Sequence, residues 1–188
     1  MVLLLASASP RRKALLSQLV NDFDIVNPDI DESVLLNESP LEYVARLSRE
    51  KAQRYASADR AVLGADTTVT VGSSIVGKPD SRESARAFLQ CLSGCTHEVH
   101  TAITLNIAGR TLTRKVTTLV TFAHLSEEVI TQYLMAGEYV GKAGAYAIQG
   151  YAGAFVSRIE GSYSAVVGLP LYETRELLLA ANIPVSYG

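Results

Sequence analysis

Apolar and polar positions alternate along this chain in blocks that read by turns as strands and helices. Val2 to Ala6 is an unbroken apolar run, the pattern of a strand buried on both faces. Pro10 to Val20 reads as a helix, with Leu15, Leu16 and Leu19 on one face and Ser9 as N-cap before Pro10. Phe23 to Asn27 reads as a short strand, and the acidic loop Asp29-Ile30-Asp31-Glu32 follows it. Pro40 to Ala56 is a second helix, with Leu41, Val44, Leu47, Lys51 and Tyr55 at helical spacing. Ala61 to Ala65 is a strand running into Asp66, and Thr67–Val71 with Ser74–Val76 predicts a hairpin around Gly72-Ser73. Ser81 to Leu92 is a third helix, ended near Gly94. His97 to Phe122 is rich in Thr, Val and Ile and turns at Ala108-Gly109-Arg110, which predicts a long antiparallel hairpin. A helix over Ser126–Met135, a strand over Ala154–Ile159 and a closing helix over Pro170–Ala181 complete the series. Such alternation predicts an α/β layer architecture.

Length and composition narrow this picture. The 188 residues, 48% of them hydrophobic, suit one domain over 1–188 and are too few for two independent cores. No repeat, low-complexity stretch or long linker divides them. Lys and Arg number 17 against 19 Asp and Glu, a net charge of −2. That balance argues against a nucleic-acid partner, since duplex binding usually shows as a basic domain. A small anionic ligand needs only a few well-placed cations. Cys91 and Cys95 cannot staple a domain of this size and fit a reducing compartment. The apolar start is short, and Arg11-Arg12-Lys13 follow it where a secretory signal has its charges first. No run approaches the roughly 18 apolar residues of a membrane span. The expectation is a cytoplasmic protein with no membrane partner.

Several constellations bear on chemistry. Ser7-Ala8-Ser9-Pro10-Arg11-Arg12 joins the first strand to the first helix. Cations in a helix's first turn oppose its dipole, a misfit that disappears if an anion docks there. The alternative is a well-capped helix with exposed arginines. Gly64-Ala65-Asp66-Thr67-Thr68 places an acid at the expected carboxyl end of a strand, where open α/β sheets bind ligands. A carboxylate there can hold a divalent metal and take a proton from water, or it can simply end the strand. Gly77-Lys78-Pro79 lacks the full phosphate-loop pattern, so Lys78 is either a point charge for a phosphate or a turn lysine. Lys51 lies on the apolar stripe of its helix and must snorkel or meet an anion. Gln149, in a segment of small residues, offers an amide that can pair with uracil or thymine, or is an ordinary loop residue. Cys91, Cys95, His97 and His100 lack the paired spacing of a zinc site.

Taken together, Ser7-Ala-Ser-Pro-Arg-Arg12, Arg49-Glu-Lys51-Ala, Gly64-Ala-Asp66-Thr, Gly77-Lys-Pro79, Lys142-Ala-Gly-Ala-Tyr-Ala-Ile-Gln-Gly150 and Gly161-Ser-Tyr-x4-Gly-Leu-Pro170 resemble the Maf family of nucleoside triphosphate pyrophosphatases. The motifs follow in family order over nearly the whole chain. The resemblance implies an elongated two-lobed α/β domain with a central mixed β-sheet flanked by helices, similar to inosine triphosphate pyrophosphatases. It implies hydrolysis of a nucleotide to the monophosphate and pyrophosphate. Arg11 after the proline, Thr67 after the acid and Gln149 before a glycine match the branch acting on dTTP and UTP. The expected catalytic residues are Asp66, Lys51 and Lys78, and Ser7, Arg11, Arg12, Thr67 and Gln149 are expected to bind substrate. A divalent cation, Mg²⁺ or Mn²⁺, would be held by Asp66 and Glu32. A homodimer is implied by the resemblance alone. The competing expectation is a non-catalytic nucleotide-binding regulator of septum formation, a role also associated with this family, which would have no need of Asp66 or a metal.

Overall fold

Five apolar residues form β1 (Val2–Ala6), and the computed structural model, which describes residues 2–72 and 74–186, builds the sheet outward from it. β1 runs parallel to β2 (Asp24–Val26) on one side and to β3 (Arg60–Val71) on the other, with Ala6 beside Gly64. β4 (Ser74–Val76) returns antiparallel to β3, with Val69 opposite Val76. The expected long hairpin is β5 (Thr96–Ile107) and β6 (Arg110–Phe122), and β7 (Val156–Glu160) lies antiparallel to β6. Among the described residues seven strands make one mixed sheet in the order β2-β1-β3-β5-β6-β7, with β4 pairing β3. The helices are α1 (Pro10–Leu16), α2 (Pro40–Gln53), α3 (Arg82–Leu92), α4 (Glu127–Ala136), α5 (Tyr163–Val167) and α6 (Leu171–Ala180).

Local chemistry sets the boundaries. Ser9, Ser39, Ser81 and Ser126 each cap a helix by accepting a backbone N–H, and Ser39 with Glu42 forms a reciprocal capping box. The structure differs from the sequence reading at several points. α1 ends at Leu16, four residues early, because the chain tightens into turns in which Gln18 and Leu19 bond three residues back. Asp66 does not end a strand: β3 continues through it to Val71, so the acid sits in mid-strand, while the expected hairpin is present between the end of β3 and β4, with Val71 opposite Ser74. Ser73, half of the expected hairpin turn, lies outside the described residues. The stretch before β7 is a 3₁₀ turn, Tyr151–Phe155, where a strand beginning at Ala154 is expected, and α5 is additional.

The chain divides into two compact units. The first takes the residues up to Asp66, Thr101–Val116 and the chain from Gly168 onward; the second takes Thr67–His100 and Thr117–Val167. In the first unit Leu4, Ala6, Val62 and Ala52 form a buried cluster against which Val26 and Tyr55 pack. Alternation sends Leu3, Leu5, Leu63 and Ala65 to the other face, where they are equally buried. The second unit is built around aromatic rings: Phe122 meets His97, Tyr146 and Phe155 edge-on, and Tyr133 packs on Phe155. Among the described residues no helix is long and apolar enough to cross a membrane.

Candidate active site

At Gly64 the backbones of α2 and β3 approach closely. A Cβ there would lie 2.3 Å from the carbonyl oxygen of Ser48 and 2.8 Å from the backbone nitrogen of Ala52, so only glycine lets α2 rest on β3. Ser48 reinforces the seat through its hydroxyl bond to Thr104, 2.8 Å. Asp66 follows Gly64 by two residues and therefore leaves the same face of β3. Lys51, on the α2 stripe that this packing turns inward, meets it directly. The lysine Nζ donates to Asp66 Oδ1 at 2.7 Å and to Glu32 Oε1 at 2.6 Å.

Lys51 is 5% exposed and Asp66 7%, whereas the Glu32 side chain keeps 38% of its surface. Two loop-to-helix bonds hold Glu32 in place. Tyr43 donates its hydroxyl to the Glu32 carbonyl at 2.9 Å, and Arg46 donates to the Ser33 carbonyl at 2.8 Å while gripping Glu38 at 2.7 and 2.8 Å. Burial, with the charges of Asp66 and Glu32 adding to it, pushes the Tyr43 phenol up to about 12.

α1 supplies the cations. Arg12 folds back so that Nη1 donates to Ser7 Oγ at 3.2 Å and Nε to the Gly168 carbonyl at 2.8 Å. Burial lowers the Arg12 pKa from its usual value, and the nearby carboxylates of Asp66 and Glu32 oppose that shift. Arg11 is lowered by burial and by the charge of Arg12. Burial pushes the Asp66 carboxyl above the ordinary range, with Lys51 and Arg12 pulling the other way. Ser7, Arg11, Arg12, Glu32, Lys51 and Asp66 thus come together in one unit, three cations with two carboxylates. The misplaced first-turn arginines are accounted for in part by this: Arg12 turns away from the helix axis toward Ser7 and the acids.

The second unit carries the other expected residues. Thr67 follows Asp66 on β3, so its side chain leaves the opposite face of the strand. Lys78 and Gln149 are exposed. Their segments are tied together, because Gly144 donates its N–H to the Gly77 carbonyl at 3.1 Å. Gly144 also sits where a Cβ would press Val69, at 3.0 Å. His97 spends Nε2 on the Tyr146 hydroxyl at 2.9 Å, and among the described residues no cluster of three or more His, Cys, Asp or Glu side chains could hold a metal.

Sequence reasoning missed three contributors to this cluster and one contact of the second unit. The Gly168 carbonyl belongs to the Gly161–Pro170 motif, whose spacing does not point to Arg12. Tyr43 and Arg46 looked like ordinary helix residues. Glu138, which accepts the Tyr151 N–H at 2.9 and 3.2 Å, gave no signal at all.

Two carboxylates on a shared cation fit a divalent ion. Mg²⁺ and similar ions are commonly held by one or two carboxylates, the rest of the shell coming from water and substrate phosphates. The Lys51 ammonium already stands between the two acids, so their oxygens are placed to meet a single cation.

The family model and the sequence relatives agree with one another. A family model described as "Maf-like protein" matches residues 2–181. A relative from Pseudoalteromonas atlantica is 49% identical over 183 residues, covering 94% of this chain and 95% of its own length. One from Vibrio parahaemolyticus is 50% identical over 179 residues, covering 94% and 95%. A third, from Hahella chejuensis, is 47% identical over 188 residues, covering 97% and 94%. All three are named dTTP/UTP pyrophosphatase. The solved structure of the Staphylococcus aureus Ham1 protein aligns with 65% of this chain and 72% of its own at a TM-score of 0.46 and 16% identity, a likeness too weak to carry weight. With a family match over almost its full length and relatives near 50% identity, this chain belongs to the Maf-like family.

Proposed function

We propose that this protein hydrolyses dTTP and UTP between the α- and β-phosphates, releasing the nucleoside monophosphate and pyrophosphate. Membership of the family and the names of its relatives support the substrate class. The observation that carries the chemistry is the Asp66–Lys51–Glu32 bridge beside Arg12, a carboxylate pair set among cations.

Asp66 takes the proton of the attacking water. A free carboxylate of pKa about 3.9 is a feeble base for water. Asp66 and Glu32 would hold the divalent ion, Mg²⁺ or Mn²⁺. When bound, such an ion acidifies water and neutralises phosphoryl oxygens. Lys51 releases the carboxylates as nucleotide arrives and turns its ammonium to the polyphosphate. Arg11 and Arg12 bind phosphate oxygens through their guanidinium forks, with the Ser7 hydroxyl beside them. Lys78 adds a point charge to the phosphates, and Thr67 and Gln149 read the base, roles supported by the motif resemblance.

A pyrophosphate-release assay with dTTP, UTP, CTP and GTP tests the reading. Release is expected to be fastest with dTTP and UTP and to stop when Mg²⁺ is chelated. Tight nucleotide binding with no pyrophosphate from any of the four would overturn it in favour of a binding protein.

A further inference from the structure

In the second unit, the turn that carries Gln149 is braced by the Glu138 carboxylate. α4 ends at Gly137 in the left-handed conformation, φ 75°, which carries the chain out of the helix at Glu138. The Glu138 carboxylate then accepts the Tyr151 N–H through both oxygens, at 2.9 and 3.2 Å. It also fills the space a side chain at position 150 would need: a Cβ on Gly150 would lie 2.4 Å from Oε2 and 2.9 Å from Cδ. The turn closes on itself through Gly150 N–H to Ala147 O and Gly153 N–H to Gly150 O, both 3.0 Å. Gly153 permits a further close approach, its absent Cβ 2.6 Å from the Ile148 carbonyl.

Both flanks of Gln149 are therefore fixed in backbone while its own side chain is exposed. A carboxylate that accepts a backbone N–H makes a charge-assisted bond, stronger than a neutral one. Glu138 adds its charge beside Tyr133, whose phenol is held up to about 12 mainly by burial.

We propose that Glu138 is the positioning residue for base recognition: by clamping Tyr151 N–H against Gly150 it fixes the direction in which the Gln149 amide is presented to a pyrimidine. This rests on the reading of Gln149 as the base-reading group. Displacing the turn by a fraction of an ångström misaligns a paired amide without touching the phosphate machinery, so the loss falls on substrate choice.

The readout is the ratio of kcat/KM for UTP to that for GTP in the intact protein. Glu138→Ala is expected to lower the ratio about tenfold, through KM for UTP, because a polar site discriminates only while its groups are aligned. Gly150→Ala pushes the flexible carboxylate off Tyr151 and is expected to reproduce the loss. The double variant is expected to lose no more than either single one. Glu138→Gln keeps the volume and one acceptor oxygen, and is expected to fall between wild type and Glu138→Ala; it serves as the test if the alanine variant does not fold. An unchanged ratio in Gln149→Ala would overturn the base-reading role, and the positioning claim with it. A lowered ratio in Gln149→Ala, beside equal losses for UTP and GTP in Glu138→Ala or Glu138→Gln, would overturn the positioning claim alone.

Discussion

Each unit buries polar side chains, Lys51 with Asp66 in the first and His97 in the second, and the two are built on opposite principles. In the first, Lys51, Asp66 and Glu32 are charged and paired at 2.6 and 2.7 Å, with Arg12 close by. Replacing such a pair with packed apolar residues would often leave a protein as stable or more so, so stability is a poor explanation for its presence. In the second, His97 is 1% exposed and sits among rings, 5.0 Å from Phe122 and 5.5 Å from Tyr146. Its Nε2 meets the Tyr146 hydroxyl, and Nδ1 has no hydrogen-bond partner among the described residues. Burial depresses its pKa to about 4, so the ring is a neutral packing element. Charge kept buried with partners marks the place where chemistry is proposed, and polarity kept neutral marks a core.

Lys51→Met should give the largest effect on stability. Removing the cation leaves Asp66 buried without its partner, a loss of about 3–5 kcal/mol in a urea titration at pH 7. A loss below about 1 kcal/mol would put the pair in the class of solvated surface bridges and erase the contrast.

Acid should act on the other cluster. The unfolded His97 binds a proton near pH 6.5 and the folded one only near 4, so its contribution is complete above pH 6.5 and declines as pH falls toward 4. The total is about 3 kcal/mol. His97→Phe should flatten that part of the stability profile, measured by urea midpoint against pH. An identical slope in the variant would mean that His97 is not the group responsible.

Gly64→Ala ranks next. The new Cβ meets backbone atoms of Ser48 and Ala52, which cannot swing aside, so α2 must lift from β3. The expected cost is about 1–3 kcal/mol, accompanied by a loss of activity as Lys51 moves away from Asp66. Full stability with full activity would show that the close seat is dispensable.

Much of this was legible in the sequence where a residue's own chemistry speaks. The serine caps, the apolar β1 and the turn at Ala108-Gly109 follow from local rules, and the inward position of Lys51 followed from helical periodicity. The mid-strand position of Asp66 was hidden, because the run of small residues Gly64 and Ala65 before an acid looks like a strand end. The early stop of α1 was hidden because Ser17, Gln18 and Leu19 are compatible with helix. The partnership of Lys51 with Glu32 depends on Tyr43 and Arg46 pinning a loop eleven and thirteen residues away. No short-range pattern records such a bond. Glu138 was missed for the same reason: its partner, Tyr151, is reached only through the fold.

Asp66→Asn tests the central claim most directly, read as dTTP turnover beside dTTP binding in the same preparation. The amide keeps the shape of the side chain and cannot take a proton from water. The account predicts a folded protein that still binds dTTP and releases pyrophosphate at least about 100-fold more slowly. Turnover within a few-fold of wild type would contradict it.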